Sequence, residues 1–135
     1  KGLTSFRHVP NGIPGVETSL PILWKLCVAT GRLDVTRFVA MSATNHAKTY
    51  GLYPRKGTIA VGSDADLAIW DPEARRTIRH ADLHDACDYT PYEGFEAEGW
   101  PVTVILRGRV VVEDGRAAAD GPTGVYLAER TPRGA

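Results

Sequence analysis

The first residues whose types and spacing suggest chemistry are Asn11 and Gly12, which lie between Pro10 and Pro14. The Asn11 amide offers two donors and an acceptor, enough to read the alternating N–H and C=O edge of a cyclic imide or ureide. Gly12 allows the backbone to approach a ligand closely. The same dipeptide is also typical of a simple turn, because Asn tolerates a left-handed φ. On these residues alone, the turn is the favoured interpretation.

A second group of side chains contains several types that bind metals. Its members are His80, Asp82, His84, Asp85, Cys87 and Asp88. A helix would place the two histidines on one face, as a metal site requires. The segment follows a strand pattern, however, and leads towards Pro91, and it lacks the His-Glu-x-x-His spacing. We therefore predict no metal site at these residues.

Covalent catalysis is not indicated by the sequence. It contains no Gly-x-Ser-x-Gly elbow and no glycine-rich phosphate loop. Asp64 and Asp66 have the spacing of paired carboxylates, but the preceding Gly62-Ser63 is turn chemistry. The sequence favours a capped, solvated turn at these aspartates over an acid–base pair.

Three helices are predicted to precede the strands. The apolar positions of the first helix recur at helical spacing and are Val16, Leu20, Leu23, Trp24, Cys27 and Val28. Thr18 or Ser19 can cap its start, and Gly31 can end it. Asp34 can cap a second helix that runs through Met41.

A third helix is predicted to begin at a cap formed by Ser42 or Thr44 and to end at Gly51. The three helices form a block too short to shield both faces of its apolar stripes. We expect this block to need a packing partner.

The hydrophobic period changes to two after residue 53. Alternation predicts strands over 67–70 and 102–107, followed by a strand over 110–112. Residues 77–79 are a possible short strand. Turns are predicted at residues 107–109 and 114–115. Helices followed by antiparallel strands indicate an α+β chain, with a partly flexible tail over 116–135.

Composition narrows the range of partners. The 135 residues carry 16 basic and 16 acidic side chains, so the formal net charge is zero. Nucleic-acid binding needs a basic surplus, and we predict no nucleic-acid partner. No apolar run reaches the length of a membrane span, and Cys27 and Cys87 do not form a disulfide framework. We expect a cytoplasmic protein with no membrane partner.

Four segments together resemble the cyclic amidohydrolases, and most closely the hydantoinases and dihydropyrimidinases. They are residues 9–17 (VPNGIPGVE), 53–72 (YPRKGTIAVGSDADLAIWDP), 88–94 (DYTPYEG) and 99–101 (GWP). They occur in the order of that family, at plausible spacing, and cover residues 1 to about 127.

The resemblance implies an α/β parent protein, a metal-dependent (β/α)₈ barrel with a small flanking β-sandwich. Residues 1–52 would be the closing part of the barrel, and residues 9–16 its substrate loop. Residues 53–115 would be the C-terminal part of the sandwich. In this family the Asn of the Pro-Asn-Gly motif holds the imide of the substrate, so Asn11 and Gly12 are the expected substrate-binding residues.

The resemblance also implies a divalent metal pair, zinc, whose ligands lie upstream of the substrate loop. We therefore expect no metal ligand and no catalytic residue in this chain, and no activity from the chain alone. The expected partners are a small cyclic amide, the N-terminal barrel and sandwich strands, and further copies in a tetramer or dimer.

Two alternatives remain open at this point. One is a non-catalytic, dihydropyrimidinase-like scaffold, and the other is a free-standing assembly module. Non-catalytic relatives tend to carry Glu at the position of Asn11 and to lack Pro91 and Tyr92. This chain has all three residues, which favours the enzyme.

Overall fold

Helical segments come first and an antiparallel sheet follows, in the predicted order. The computed structural model describes residues 5–9, 11–118 and 124–127. The helices are α1 (Ser19–Leu23), α2 (Val35–Val39) and α3 (Asn45–Thr49), with π-helical turns at Trp24–Val28 and Ala40–Thr44 and 3₁₀ turns at Phe6–His8 and His80–Asp82. The strands are β1 (Leu67–Thr77), β2 (Glu96–Leu106), β3 (Arg109–Glu113) and β4 (Arg116–Ala117). Much of the predicted flexible tail lies outside the described residues.

The first helical segment comprises α1 and the π-helical turn that continues it. Gly31 ends the segment as predicted, with φ at +73° and its N–H donating to the Val28 carbonyl at 2.9 Å. Thr18 stands at the N-cap, but its side chain forms no cap hydrogen bond. Val16 was predicted on the apolar helical face, and this is wrong: it precedes the helix and is 98% exposed.

The second helical segment runs without interruption from α2 through the π-helical turn into α3. Asp34 caps it as predicted, accepting from the Arg37 N–H at 2.8 Å. The predicted third cap is wrong, because Ser42 and Thr44 lie inside the helical run. Ser42 Oγ donates back to the Phe38 carbonyl at 2.8 Å. Because this hydroxyl bonds to a carbonyl of its own helix, it does not cap the start of another helix.

The four strands form one antiparallel sheet in the order β1-β2-β3-β4. β1 includes Thr77 of the predicted short strand, and β2 begins at Glu96 rather than near Val102. The register of β1 against β2 shifts between Ile69 and Trp70 and again between Asp71 and Arg75. These irregularities accommodate Pro72 and Pro101, which cannot donate to a regular ladder.

The two predicted hairpin turns are confirmed. Arg107 and Gly108 have φ of 47° and 79°, and Asp114 and Gly115 have φ of 49° and 76°. Two successive residues with positive φ form the turn that suits the twist of an antiparallel hairpin.

An aromatic cluster joins the helices to the sheet. The rings of Trp24 and Trp70 stack with centroids 5.0 Å apart, and Phe38 packs edge-on at 5.1 Å from Trp24. Gly99 of β2 lies directly against Trp24, since a Cβ added there would be 2.1 Å from the indole Cδ1. A second cluster of buried side chains consists of Ile78, Ala97 and Trp100.

Salt bridges hold the 53–66 loop together, and one hydrogen bond attaches it to the β2–β3 turn. Lys56 Nζ contacts Asp64 at 2.8 Å and also contacts Asp66. Asp66 Oδ1 accepts from the Arg107 N–H at 2.8 Å. A turn precedes the two aspartates, with the Ser63 N–H donating to the Ala60 carbonyl at 3.0 Å. The prediction that their carboxylates are solvated is wrong, because the side chains of Asp64 and Asp66 are only 21% and 27% exposed and both form ion pairs.

These contacts shift the pKa values of the three side chains. Partial burial raises the pKa of Asp66, but hydrogen bonds from Lys56 and from the Arg107 N–H outweigh it, and the net pKa is lowered. The hydrogen bond from Lys56 lowers the pKa of Asp64. Burial lowers the pKa of Lys56, and its bonds to both aspartates raise it further than burial lowers it.

Several large apolar side chains of the helical segments are 39–57% exposed. They are Leu20, Leu26, Val35, Val39, Met41 and Tyr50. Their exposure agrees with the expectation that the helical block needs a packing partner. Within the described ranges, no helix is long and apolar enough to cross a bilayer.

Replacing Gly99 with Ala should destabilise the fold by about 2–4 kcal/mol, because a side chain there overlaps the Trp24 indole and is strained at positive φ. Gly108→Ala is the matched control: its φ is +79°, and an added Cβ would meet nothing within 4 Å. The Gly108→Ala change should lower the free energy of unfolding by about 1 kcal/mol. Urea denaturation measures both, and equal costs would show that the indole contact does not constrain Gly99.

Replacing Asp66 with Asn should cost about 1 kcal/mol at pH 7, since the ion pair with Lys56 is lost while the Arg107 N–H keeps an acceptor. The folded pKa of Asp66 lies below its ordinary value of 3.8. Its contribution is therefore complete above that value and is lost as pH falls through the folded pKa. The difference between the two proteins should shrink accordingly in unfolding measured from pH 7 down to pH 2.

Asp34→Asn serves as the control for this series, because Asn caps a helix about as well as Asp. A cost for Asp66→Asn that does not change with pH would contradict the ionic origin of the effect.

Candidate functional site

Asn11 and Gly12 lie in an exposed loop that precedes α1. The Tyr89 hydroxyl donates to the Gly12 carbonyl at 3.3 Å. Gly15 lies against Tyr92, since a Cβ added to Gly15 would be 3.8 Å from the ring carbon Cε2. Residues 11–16 therefore rest on two aromatic side chains that are distant in sequence.

Glu17, directly after this loop, makes a double contact with His84. The His84 N–H donates to Glu17 Oε2 at 2.9 Å, and the ring nitrogen Nδ1 lies 3.0 Å from Glu17 Oε1. A carboxylate accepts but does not donate, so Nδ1 carries a proton in this arrangement. The two residues are 67 positions apart, and their contact fixes the end of the loop to the segment of residues 80–95.

The segment of residues 80–95 is held by its own hydrogen bonds. The His80 N–H donates to Glu93 Oε2 at 2.7 Å, and His80 Nε2 lies 2.7 Å from the Cys87 carbonyl. The Ile78 N–H donates to the Phe95 carbonyl at 2.8 Å where the segment joins the sheet. The loop of residues 11–16 thus rests on a braced surface.

The histidines of the predicted ligand-rich run have separate partners. His80 faces the Cys87 carbonyl and His84 faces Glu17. In the ranges that the structure describes, no three His, Cys, Asp or Glu side chains come close enough together to hold a metal ion. These residues therefore do not fit the metal pair that the family resemblance implies.

A cavity of about 380 Å³ lies beside the Glu17–His84 contact. Its lining residues are Glu17, Arg76, Thr77, Ile78, Arg79, Asp82, Leu83, His84, Trp100 and Gly115. Arg76 lies over the Trp100 ring at 5.2 Å from its centroid. Asn11 and Gly12 do not line this cavity, so the predicted substrate-binding residues lie outside it, in an exposed loop.

Sequence reasoning singled out Asn11 and Gly12 but missed the contacts that support them. Glu17 and Tyr89 were visible only as members of two separate motifs, at residues 9–17 and 88–94. The signal that could have linked them was their joint presence in one family pattern. The pairing itself needs the folded chain.

The chain is similar to proteins of one enzyme family. Residues 6–111 match the Amidohydrolase family, and the chain belongs to that family. It is 46% identical over 130 residues to the D-hydantoinase of Ralstonia pickettii and 49% identical over 114 residues to the dihydropyrimidinase of Rattus norvegicus. These alignments cover 96% and 84% of this chain.

A solved structure described as D-hydantoinase superimposes on the chain with a TM-score of 0.88 at 47% identity, over 93% of this chain and 27% of that one. The chain spans 28% and 22% of the two curated relatives. The resemblance seen in the four sequence motifs is confirmed, and it applies to about a quarter of the length of such proteins.

Proposed function

We propose that the complete protein is a hydrolase that opens cyclic amide rings of the hydantoin or dihydropyrimidine type, and that this chain contributes the substrate loop. The observation that carries the proposal is the similarity of 46–49% to a D-hydantoinase and a dihydropyrimidinase. The alignment with the D-hydantoinase spans 130 of the 135 residues and therefore includes the loop with Asn11 and Gly12 and the aromatic residues beneath it.

The chain's part in the reaction is to place the substrate. The Asn11 amide is exposed and can donate to a ring carbonyl while accepting from a ring N–H. Gly12 has no neighbour within 4 Å of an added Cβ, which leaves room for a flat ring close to the backbone. The Tyr89 hydroxyl donates a hydrogen bond to the Gly12 carbonyl and thereby restrains the loop.

We propose that the rest of the protein completes the barrel and the sandwich. Residues 1–52 would close a (β/α)₈ barrel, and residues 53–115 would belong to the flanking β-sandwich. The half-exposed apolar side chains of the helical segments support this arrangement, because barrel strands would cover them. We propose that the zinc pair is bound by residues outside this chain, so no step here involves it.

We propose that the complete protein assembles with further copies of itself, as a tetramer or dimer, in the cytoplasm. The non-catalytic scaffold is the alternative, and Asn11, Pro91 and Tyr92 argue against it through their match to the enzymes. His-x-His and Lys ligands in the part of the protein outside this chain would decide between the two.

Asn11→Ala in the complete protein should lower kcat/KM roughly ten- to hundredfold, or about 1–3 kcal/mol, because a polar ring loses hydrogen bonds in a desolvated site. Metal content should not change. Asn45→Ala is the matched control, since Asn45 is exposed and lies in the second helical segment, away from the loop. Steady-state assays with hydantoin and dihydrouracil give the result, and unchanged kinetics would leave Asn11 with a turn role only.

The isolated chain should neither retain zinc after dialysis nor open a hydantoin ring, because its described residues offer no set of three ligands. Elemental analysis and a ring-opening assay measure both properties. Stoichiometric zinc together with turnover would place the metal site within this chain.

A further inference from the structure

Two segments far apart in sequence meet at a point next to the proposed substrate loop. Glu17 accepts a hydrogen bond from the His84 N–H at 2.9 Å and lies 3.0 Å from its ring Nδ1. The Tyr89 hydroxyl donates to the Gly12 carbonyl at 3.3 Å. One contact holds the end of the loop and the other holds its start, so residues 12–17 are attached at both ends to the segment of residues 80–95.

We propose that Glu17 and His84 are positioning residues that form a clasp, which fixes the orientation of the substrate loop for the cyclic amide. This inference rests on the proposed function and adds to it two residues that act through the loop. Their role is to keep Asn11 at the correct distance and angle.

The exposure of the pair separates this role from a general stabilising one. The side chains of His84 and Glu17 are 66% and 32% exposed. Polar side-chain contacts with such access to water contribute little to global stability. The clasp therefore acts on the local mobility of the loop, to which it contributes two hydrogen bonds.

The geometry also ranks the two residues. His84→Ala removes the ring contact but keeps the backbone N–H that donates to Glu17 Oε2, so one of the two hydrogen bonds survives. Glu17→Ala removes both. Glu17→Gln keeps the shape of the side chain: its carbonyl can accept from the N–H, and its amide can donate to an unprotonated Nδ1.

The test uses the complete protein with two readouts: hydrogen–deuterium exchange over residues 11–17, and steady-state kinetics with dihydrouracil and hydantoin as the probes. Glu17→Ala should speed exchange in this stretch about tenfold, because local opening becomes easier. It should raise KM about tenfold with little change in kcat, as expected when binding is lost equally from the ground state and the transition state. His84→Ala should do the same to a smaller extent, and Glu17→Gln should restore values near those of the unaltered protein.

Glu98→Ala is the matched control. Glu98 is 30% exposed and pairs with Lys25 at 2.7 Å, so it also joins distant segments, but away from the loop. It should leave exchange over residues 11–17 and KM unchanged. The clasp is overturned if Glu17→Ala behaves like this control, if His84→Ala has the larger effect, or if the loop loosens without any rise in KM.

The two readouts also separate this inference from the proposed function. An unaltered protein that opens neither ring would refute the proposed function, while the exchange comparison would still decide whether the clasp holds the loop. If Glu17→Ala folds poorly, His84→Ala alone must still loosen residues 11–17 relative to Glu98→Ala, and equal exchange in these two variants would refute the clasp.

Discussion

The contact between the Trp24 indole and Gly99 is the constraint on which the rest of the structure depends. Any side chain at position 99 would occupy the space of the ring, so the first helical segment can approach β2 only because this residue is glycine. The stacked Trp70 ring and the edge-on Phe38 then attach the second helical segment and β1 to the same point. Dispersion and apolar burial at this junction set how the helical block lies on the sheet.

That junction also sets the geometry of the candidate site. The loop with Asn11 leads into α1, and the segment of residues 80–95 leads into β2, so fixing α1 against β2 brings the loop and this segment together. Glu17, His84 and Tyr89 then need only short reaches to form their contacts. Exposed hydrogen bonds are weak, but here they can hold the loop in place. Packing elsewhere has already brought the two segments close, so forming these bonds costs little further conformational entropy.

The proposed role of this chain in substrate placement uses features of its described residues. No three potential metal ligands come together among its described residues, and the Asn11 amide is exposed on a loop whose Gly12 carbonyl accepts a hydrogen bond from Tyr89. The chain belongs to the amidohydrolase family and corresponds to about a quarter of the length of its hydantoinase relatives. A contribution to substrate placement, with the chemistry supplied by other parts of the protein, is consistent with both facts.

The sequence by itself determined the local features and the family. Asp34 as a cap, Gly31 as a helix end, the two hairpin turns and the alternation in β1 and β2 each depend on neighbours a few residues away, and four motifs indicated the cyclic amidohydrolases. Tertiary structure decided what depends on distant partners. The Thr44 hydroxyl finds the Gly57 carbonyl at 2.7 Å instead of capping a helix, and the second helical segment continues through it. Glu17 meets His84 across 67 residues. Local patterns carry no information on such pairs, because only the packed path of the chain brings them within hydrogen-bond distance.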